Sequence, residues 1–230
     1  KNYVIAIIPA RGGSVGIPQK NLMSFCGKPL LGWTIDHALN TNEIDKVYVS
    51  TDSDEIAHYS ISKGVQVIKR PASISGADAT SESAIKHALA DIKSTSSCYP
   101  DLVIFLQATS PLRKCDDISA ALDLFESVKA DSLFSSSIAA DLTIWNKGSC
   151  GWESINFDYK NRQTRQAAPA QFIENGSIYI FHPSLLIETD NRLGGKIESY
   201  IMEPWQAHEI DVEADVDLIQ YYMEKYIIGK

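Results

Sequence analysis

Residues 1 to 130 alternate short β-rich runs with amphipathic stretches, and this alternation limits the fold more than any other feature of the chain. Val4–Ile8, Lys46–Ser50, Val65–Ile68 and Leu102–Leu106 read as strands of β-branched and apolar residues. Between them lie helical patterns. Pro29 to Asn40 carries Leu30, Leu31, Ile35, Ala38 and Leu39 at helical spacing. A second helix starts at Asp52 or Ser53, reaches about Lys63 and stops at Gly64. Ser81–Lys93 and Asp116–Lys129 are the third and fourth, the last opened by two acidic residues that suit its dipole. Strand and helix in repeated succession predict a doubly wound α/β fold with a mainly parallel sheet. In that architecture a ligand binds beyond the carboxyl ends of the strands.

The first such end carries the densest chemical signal. Residues 9–21 read P-A-R-G-G-S-V-G-I-P-Q-K-N. Gly12, Gly13 and Gly16 let the backbone approach a ligand, and the N–H groups of such a turn can point at an anion. Arg11 and Lys20 flank the turn with fixed positive charge. Neither the dinucleotide fingerprint G-x-G-x-x-G nor the ATPase loop G-x-x-x-x-G-K-[ST] occurs. The chain as a whole has a net charge of -8, so a local cationic loop marks a site for a polyanion, with a nucleoside triphosphate as the leading candidate.

The acidic balance argues against a nucleic-acid partner. No apolar run approaches the roughly 18 residues of a membrane helix. The 230 residues suit one α/β domain spanning 1–230. Cys26, Cys98, Cys115 and Cys150 are scattered without C-x-x-C spacing, so neither a zinc site nor a disulfide framework is indicated, and a cytoplasmic protein with reduced thiols is expected. After residue 130 the pattern changes. Ser132–Ile138, Thr143–Asn146, Trp152–Phe157 and Ser177–Phe181 read as strands without full helices between them. Residues 140–170 form an excursion from the sheet, and an amphipathic helix over 214–228 closes the chain.

Three further segments carry candidate chemistry. Gln107-Ala108-Thr109-Ser110-Pro111-Leu112-Arg113 follows a buried strand, where Gln107 can offer a donor and an acceptor to a sugar, while Thr109, Ser110 and Pro111 equally suit a plain strand-to-helix turn. Arg165-Gln166 precedes Glu174-Asn175-Gly176-Ser177-Ile178-Tyr179. A guanidinium matches a carboxylate with a two-pronged contact, while Asn175-Gly176 by itself reads as a turn. Asp211 and Glu213 alternate on one face of an extended segment and suit Mg²⁺, or they and Asp215 and Asp217 serve as an acidic start to the last helix.

The stretch A-R-G-G-S-x-G-I-P-x-K-N resembles the opening signature of the acylneuraminate cytidylyltransferases (CMP-sialic acid synthetases). Q-x-T-S-P-L-R at 107–113, R-Q-x-x-P-x-x-x-x-x-N-G-x-I-Y at 165–179 and I-D-[ILV]-[DE] at 210–213 resemble later motifs of that family, in family order. The resemblance implies that Arg11, Gly12, Gly13, Ser14, Lys20 and Asn21 hold CTP. It implies that Gln107, Thr109, Arg165, Gln166, Asn175 and Tyr179 meet an acidic nine-carbon sugar. It also implies that Asp211, with Glu213 beside it, holds Mg²⁺ or Mn²⁺. Arg11, Lys20 and Asp211 would carry the catalysis. Asp78 to Ser83 resembles the family's D-T-A-S-x-E-S segment at one residue's tighter spacing, which puts Thr80 and Ser81 near the nucleotide; helix capping explains these residues equally well. Residues 140–170 resemble the family's dimerisation arm, which implies a homodimer.

One departure stands in the first loop, where most relatives have Lys and this chain has Val15. A charged hydrogen bond to phosphate is worth about 1.5–3 kcal/mol, so its loss would weaken triphosphate binding by roughly tenfold to a hundredfold. The expected reaction couples CTP to an N-acylneuraminate, with release of pyrophosphate. Legionaminate, pseudaminate or deaminated neuraminate are alternative acceptors, and a nucleotide-binding protein without catalysis is the alternative of another class.

Overall fold

The computed structural model describes residues 1–14, 16–96, 98–139, 142–164, 166–167 and 169–229; Val15 and Arg165 lie outside the described residues. In chain order the strands are β1 (Val4–Pro9), β2 (Ser24–Phe25), β3 (Lys28–Pro29), β4 (Lys46–Thr51), β5 (Gln66–Lys69), β6 (Leu102–Leu106), β7 (Ser132–Ile138), β8 (Trp145–Gly148), β9 (Gly151–Ser154), β10 (Phe172–Phe181) and β11 (Ile197–Met202). The α-helices are α1 (Leu30–Leu39), α2 (Asp54–Ser62), α3 (Ser81–Thr95), α4 (Asp117–Val128), α5 (Pro183–Thr189) and α6 (Glu213–Tyr222), the last continuing as a π-turn over Met223–Ile228.

Seven strands form one sheet in the order β11-β7-β10-β6-β1-β4-β5. All neighbours pair in parallel except β10, which runs antiparallel to both β6 and β7. The expected mainly parallel, doubly wound α/β sheet is therefore present. The step from β6 through α4 to β7 leaves a gap one strand wide, and β10 fills it on its return from the 140–170 excursion.

The sheet is covered on both faces, so its central strands are apolar throughout. Val4, Ala6, Ile8, Ile104 and Leu106 meet Leu31 and Ile35 of α1 and Ile118, Leu122 and Phe125 of α4. The alternate residues Ile5, Ile7, Val103 and Phe105 meet Ile85, Leu89 and Ile92 of α3 and Leu186 of α5. A third, smaller core joins Ile17, Phe25, Leu30 and Leu112 to Ile210, Ile219 and Met223. It seats the last helix against the first loop, and that contact brings the two ends of the chain together at the site.

The excursion between β7 and β10 contains the β8–β9 hairpin, a separate two-stranded sheet. Trp145 packs there on Phe157 and Tyr159, at 5.3 and 5.5 Å between ring centres. β10 is longer than its apolar run Ser177–Phe181 suggests, because its first half is reached through a bulge between Glu174 and Tyr179. Asn175-Gly176 thus lies inside a strand and is no turn. β11 and α5 carry no periodic signal strong enough to stand out in the sequence. Among the described residues no helix is long and apolar enough to cross a membrane.

Candidate active site

The loops after β1, β5 and β6 enclose a cleft of about 450 Å³ at the carboxyl ends of these strands. Its wall includes Arg11, Ser14, Gly16, Lys20 and Asn21 from the first loop and Thr80 and Ser81 from the start of α3. Gln107 and Thr109 come from the end of β6, and Asp211 from the segment before α6. Nine residues assigned from the sequence to nucleotide, sugar or metal therefore converge on one cavity: Arg11, Ser14, Lys20, Asn21, Thr80, Ser81, Gln107, Thr109 and Asp211.

The first loop is pinned from several sides. The Lys20 ammonium donates to the Ile210 carbonyl at 2.7 Å and to Asp211 Oδ1 at 2.9 Å. Gly16 permits this closure: a Cβ there would stand 2.2 Å from the Asp211 carbonyl oxygen. Asn21, buried, donates through Nδ2 to the Arg11 carbonyl at 3.0 Å. Arg11 in turn donates to the carbonyls of Gly76 and Ala77 and so holds the loop after β5 over the cleft. The Gly12 amide donates to Asp52 Oδ1 at 2.9 Å, so this member of the expected phosphate cradle is engaged by a carboxylate.

Thr80 has both roles its sequence context allows. It lines the cleft, and its hydroxyl caps α3 by accepting from the Ser83 amide at 3.1 Å. Thr109 also lines the cleft while its hydroxyl donates to Glu209 Oε2 at 3.1 Å and its carbonyl accepts from the Ile210 amide. Burial and the neighbouring negative charge of Asp211 raise the Glu209 carboxyl above the ordinary range. Glu213, expected beside Asp211, is instead the exposed first residue of α6 and lies outside the cleft wall. Asp215 supplies the acidic cap, accepting from the amides of Asp211 and Val212 at 2.8 and 2.9 Å. Glu209 lies outside the cleft wall as well, but its carboxyl, held by Thr109, is the one that feels the charge of Asp211.

Three expected sugar contacts stand away from the cleft wall. Gln166 is exposed on the excursion. Asn175 is buried in the sheet, where Oδ1 accepts from Ser135 Oγ and the Ser177 amide. The Tyr179 ring is buried between Phe105, at 5.2 Å, and the Arg192 guanidinium, at 4.2 Å, with its hydroxyl donating to Glu174. Burial raises its phenol pKa.

Arg70 is a cleft residue that sequence reasoning missed. It follows β5 and is buried; among the described residues its Nε has no partner, and Nη2 reaches the Ser50 carbonyl at 3.4 Å. Desolvation holds its pKa below the usual value. The signal was present: Arg70 occupies the carboxyl end of a parallel strand, as the first loop does. Arg113 is the other buried cation. Its guanidinium donates to the carbonyls of Ser177 and Gln107 and to Thr34 Oγ1, and burial lowers its pKa to about 9.

Three cationic side chains, Arg11, Lys20 and Arg70, thus line one cleft at the carboxyl edge of the mainly parallel sheet, in an α/β domain of net negative charge. A model of the cytidylyltransferase family matches residues 5–186, and the chain belongs to that family. It is similar to N-acylneuraminate cytidylyltransferase A of Danio rerio, 33% identical over 219 residues that cover 94% of this chain and 49% of that one. The chain thus spans about half the length of that relative. It is also similar to post-translational flagellin modification protein B of Campylobacter coli, 28% identical over 224 residues, covering 96% of this chain and 95% of the other. In fold it is similar to CMP:2-keto-3-deoxy-manno-octonic acid synthetase complexed with CTP, with a TM-score of 0.73 at 15% identity, covering 98% of this chain and 100% of that one.

Proposed function

We propose that this chain transfers CMP from CTP to an acidic nine-carbon sugar and releases pyrophosphate. The convergence of Arg11, Lys20 and Arg70 on one cleft in an acidic cytidylyltransferase carries the reading. The anomeric hydroxyl oxygen attacks the α-phosphorus in line as the bond to the leaving pyrophosphate breaks. Such a transfer asks the protein for alignment and for neutralisation of charge, and no side-chain nucleophile is needed. Lys20 and Arg11 hold the triphosphate, Asn21 fixes the loop that carries them, and Thr80 and Ser81 border the nucleoside. Gln107 faces the acceptor, with Arg165 and Gln166 as further contacts for its carboxylate.

Asp211 and Glu209 suit a divalent cation such as Mg²⁺ or Mn²⁺. They are hard oxygen donors; burial first, and then the charge of Asp211, raise the Glu209 carboxyl, and a cation would relieve the repulsive part. When bound, the ion would supply charge neutralisation at the phosphates and acidify the attacking hydroxyl.

The relatives divide between N-acylneuraminate enzymes and a protein named for flagellin modification. The acceptor is accordingly proposed as a class, N-acylneuraminate first, with legionaminate, pseudaminate and deaminated neuraminate beside it. A homodimer through residues 140–170 and a cytoplasmic location complete the proposal. Exposed Ile144, Trp145, Trp152, Ile155 and Tyr159 on the excursion support the dimer. The test is pyrophosphate release from CTP with Mg²⁺ across a panel of these sugars, with and without EDTA. Release with one sugar, abolished by EDTA, is expected. Binding of CTP without release with any sugar would favour a non-catalytic nucleotide binder.

A further inference from the structure

We propose that the bulge at Asn175–Gly176 is a positioning element that sets the direction of the Gln107 carboxamide and thereby selects the acceptor; this rests on the reading of the cleft given above. Gln107 projects from the end of β6 into the cleft wall. Its main chain is anchored, since its carbonyl accepts from Arg113 Nη2 at 2.7 Å and from Thr34 Oγ1 at 3.3 Å. Among the described residues no hydrogen bond reaches its carboxamide, so packing alone orients that group and leaves its donor and acceptor for a ligand.

The packing surface is Gly176. A Cβ on Gly176 would stand 2.8 Å from Gln107 Oε1, 3.1 Å from Nε2 and 3.2 Å from Cδ, so the amide lies flat against the bare Cα. Gly176 adopts φ +67°, a conformation that glycine takes at little cost. Because β10 is antiparallel to β6, with Ile178 opposite Leu106, the bulge falls just beyond the end of β6, level with Gln107.

Asn175 fixes the bulge. Its Oδ1 accepts from the Ser177 amide at 3.2 Å and from Ser135 Oγ at 2.5 Å, and Nδ2 donates to Ser137 Oγ at 3.4 Å. Arg113 then couples bulge and strand end: the nitrogen that holds the Gln107 carbonyl also donates to the Ser177 carbonyl at 2.7 Å. One buried guanidinium thus sets the distance between Gly176 and Gln107. Asn175 acts on the acceptor through its neighbours and has no place in the cleft wall.

The test is a double-mutant cycle. Gly176→Ala should raise the KM for the acceptor sugar about tenfold, the scale of one lost hydrogen bond, with the KM for CTP changed less than about threefold. In a Gln107→Ala background the same substitution should leave the acceptor KM unchanged, since the side chain it displaces is gone. Asn175→Ala provides a second route and should show the same dependence on Gln107. Equal effects in both backgrounds, or a change in the CTP KM alone, would overturn the proposal. A crystal structure of Gly176→Ala gives a readout independent of turnover: a displaced Gln107 carboxamide is expected, and an unmoved one sinks the inference. If no sugar supports turnover while the carboxamide moves, the assigned reaction fails and the positioning role stands.

Discussion

Lys20 and Asp211 lie 191 positions apart and form an ion pair of 2.9 Å at the mouth of the cleft. The lysine side chain is only 12% exposed, the aspartate 63%. The half-buried cation lines the cavity, while the carboxylate that neutralises it is the more exposed partner. On the proposed function, a triphosphate competes with Asp211 for Lys20.

That competition separates the two residues by experiment. Lys20→Met is expected to weaken CTP binding by about tenfold to a hundredfold, the value of a charged hydrogen bond. Asp211→Asn removes a competing negative charge, so CTP binding without divalent ion should hold or tighten while turnover collapses. Isothermal titration with and without Mg²⁺ reads both. Parallel losses of CTP affinity in the two variants would contradict the assignment.

Gly16 is where the first loop meets the segment before α6. A methyl group there meets a main-chain oxygen at 2.2 Å, and no rotamer change relieves that. Gly16→Ala should cost about 1–3 kcal/mol, as overpacking does. Thermal unfolding should drop about 2–4 °C for each kcal/mol in a chain of this size. Gly13→Ala is the control, since among the described residues nothing lies within 4 Å of its Cβ position. It should stay within about 0.5 kcal/mol of the parent.

Arg70 combines burial with an unpartnered Nε, a combination that a folded protein retains at a cost in stability. Arg70→Met should leave the unliganded protein as stable as the parent or more so, and should weaken CTP binding about tenfold or more. Denaturant midpoints measured with and without CTP separate the two effects. A variant that loses stability but binds CTP normally would make Arg70 a structural residue.

His37 on α1 gives a stability profile in acid. Burial, and then the charges of Arg113 and Lys28, lower its pKa from 6.5 to about 3. Its Nδ1 is buried and has no hydrogen-bond partner among the described residues. The folded state therefore refuses a proton that the unfolded chain accepts. The stabilisation is complete above pH 6.5 and is lost as pH falls towards about 3. The slope reaches at most about 1.4 kcal/mol per pH unit for one proton. Urea midpoints of the parent and His37→Gln should differ by a constant amount near pH 7.5. Below pH 6 the parent should lose stability faster, and identical slopes would refute the linkage.

The chain's local patterns were enough for the alternating half of the fold. Val4–Ile8 and Leu102–Leu106 are apolar without interruption because both faces of the sheet are covered. The glycine-rich turn with Arg11 and Lys20 announced the cleft, because backbone freedom and fixed charge are written in residue type. Edge strand β11 escaped notice: Ile197-Glu198-Ser199-Tyr200-Ile201 mixes polar and apolar residues, and its partner β7 is rich in serine. Arg70 carries a positional signal at the carboxyl end of β5, but its burial is created only by the loops folded over it.

Contacts between distant segments needed the tertiary structure. Asn175 is a hydrogen-bonding side chain whether it meets a sugar or braces a bulge, and only the packing of β7 against β10 assigns it to the bulge. Glu209 and Glu213 flank Asp211 at equal spacing, and only the start of α6 at Glu213, with Thr109 bonded to Glu209, tells them apart. Residue chemistry and short-range periodicity act over a few positions and are visible along the chain. The choice among equivalent polar groups is made by long-range burial and pairing, which exist only once the chain has folded.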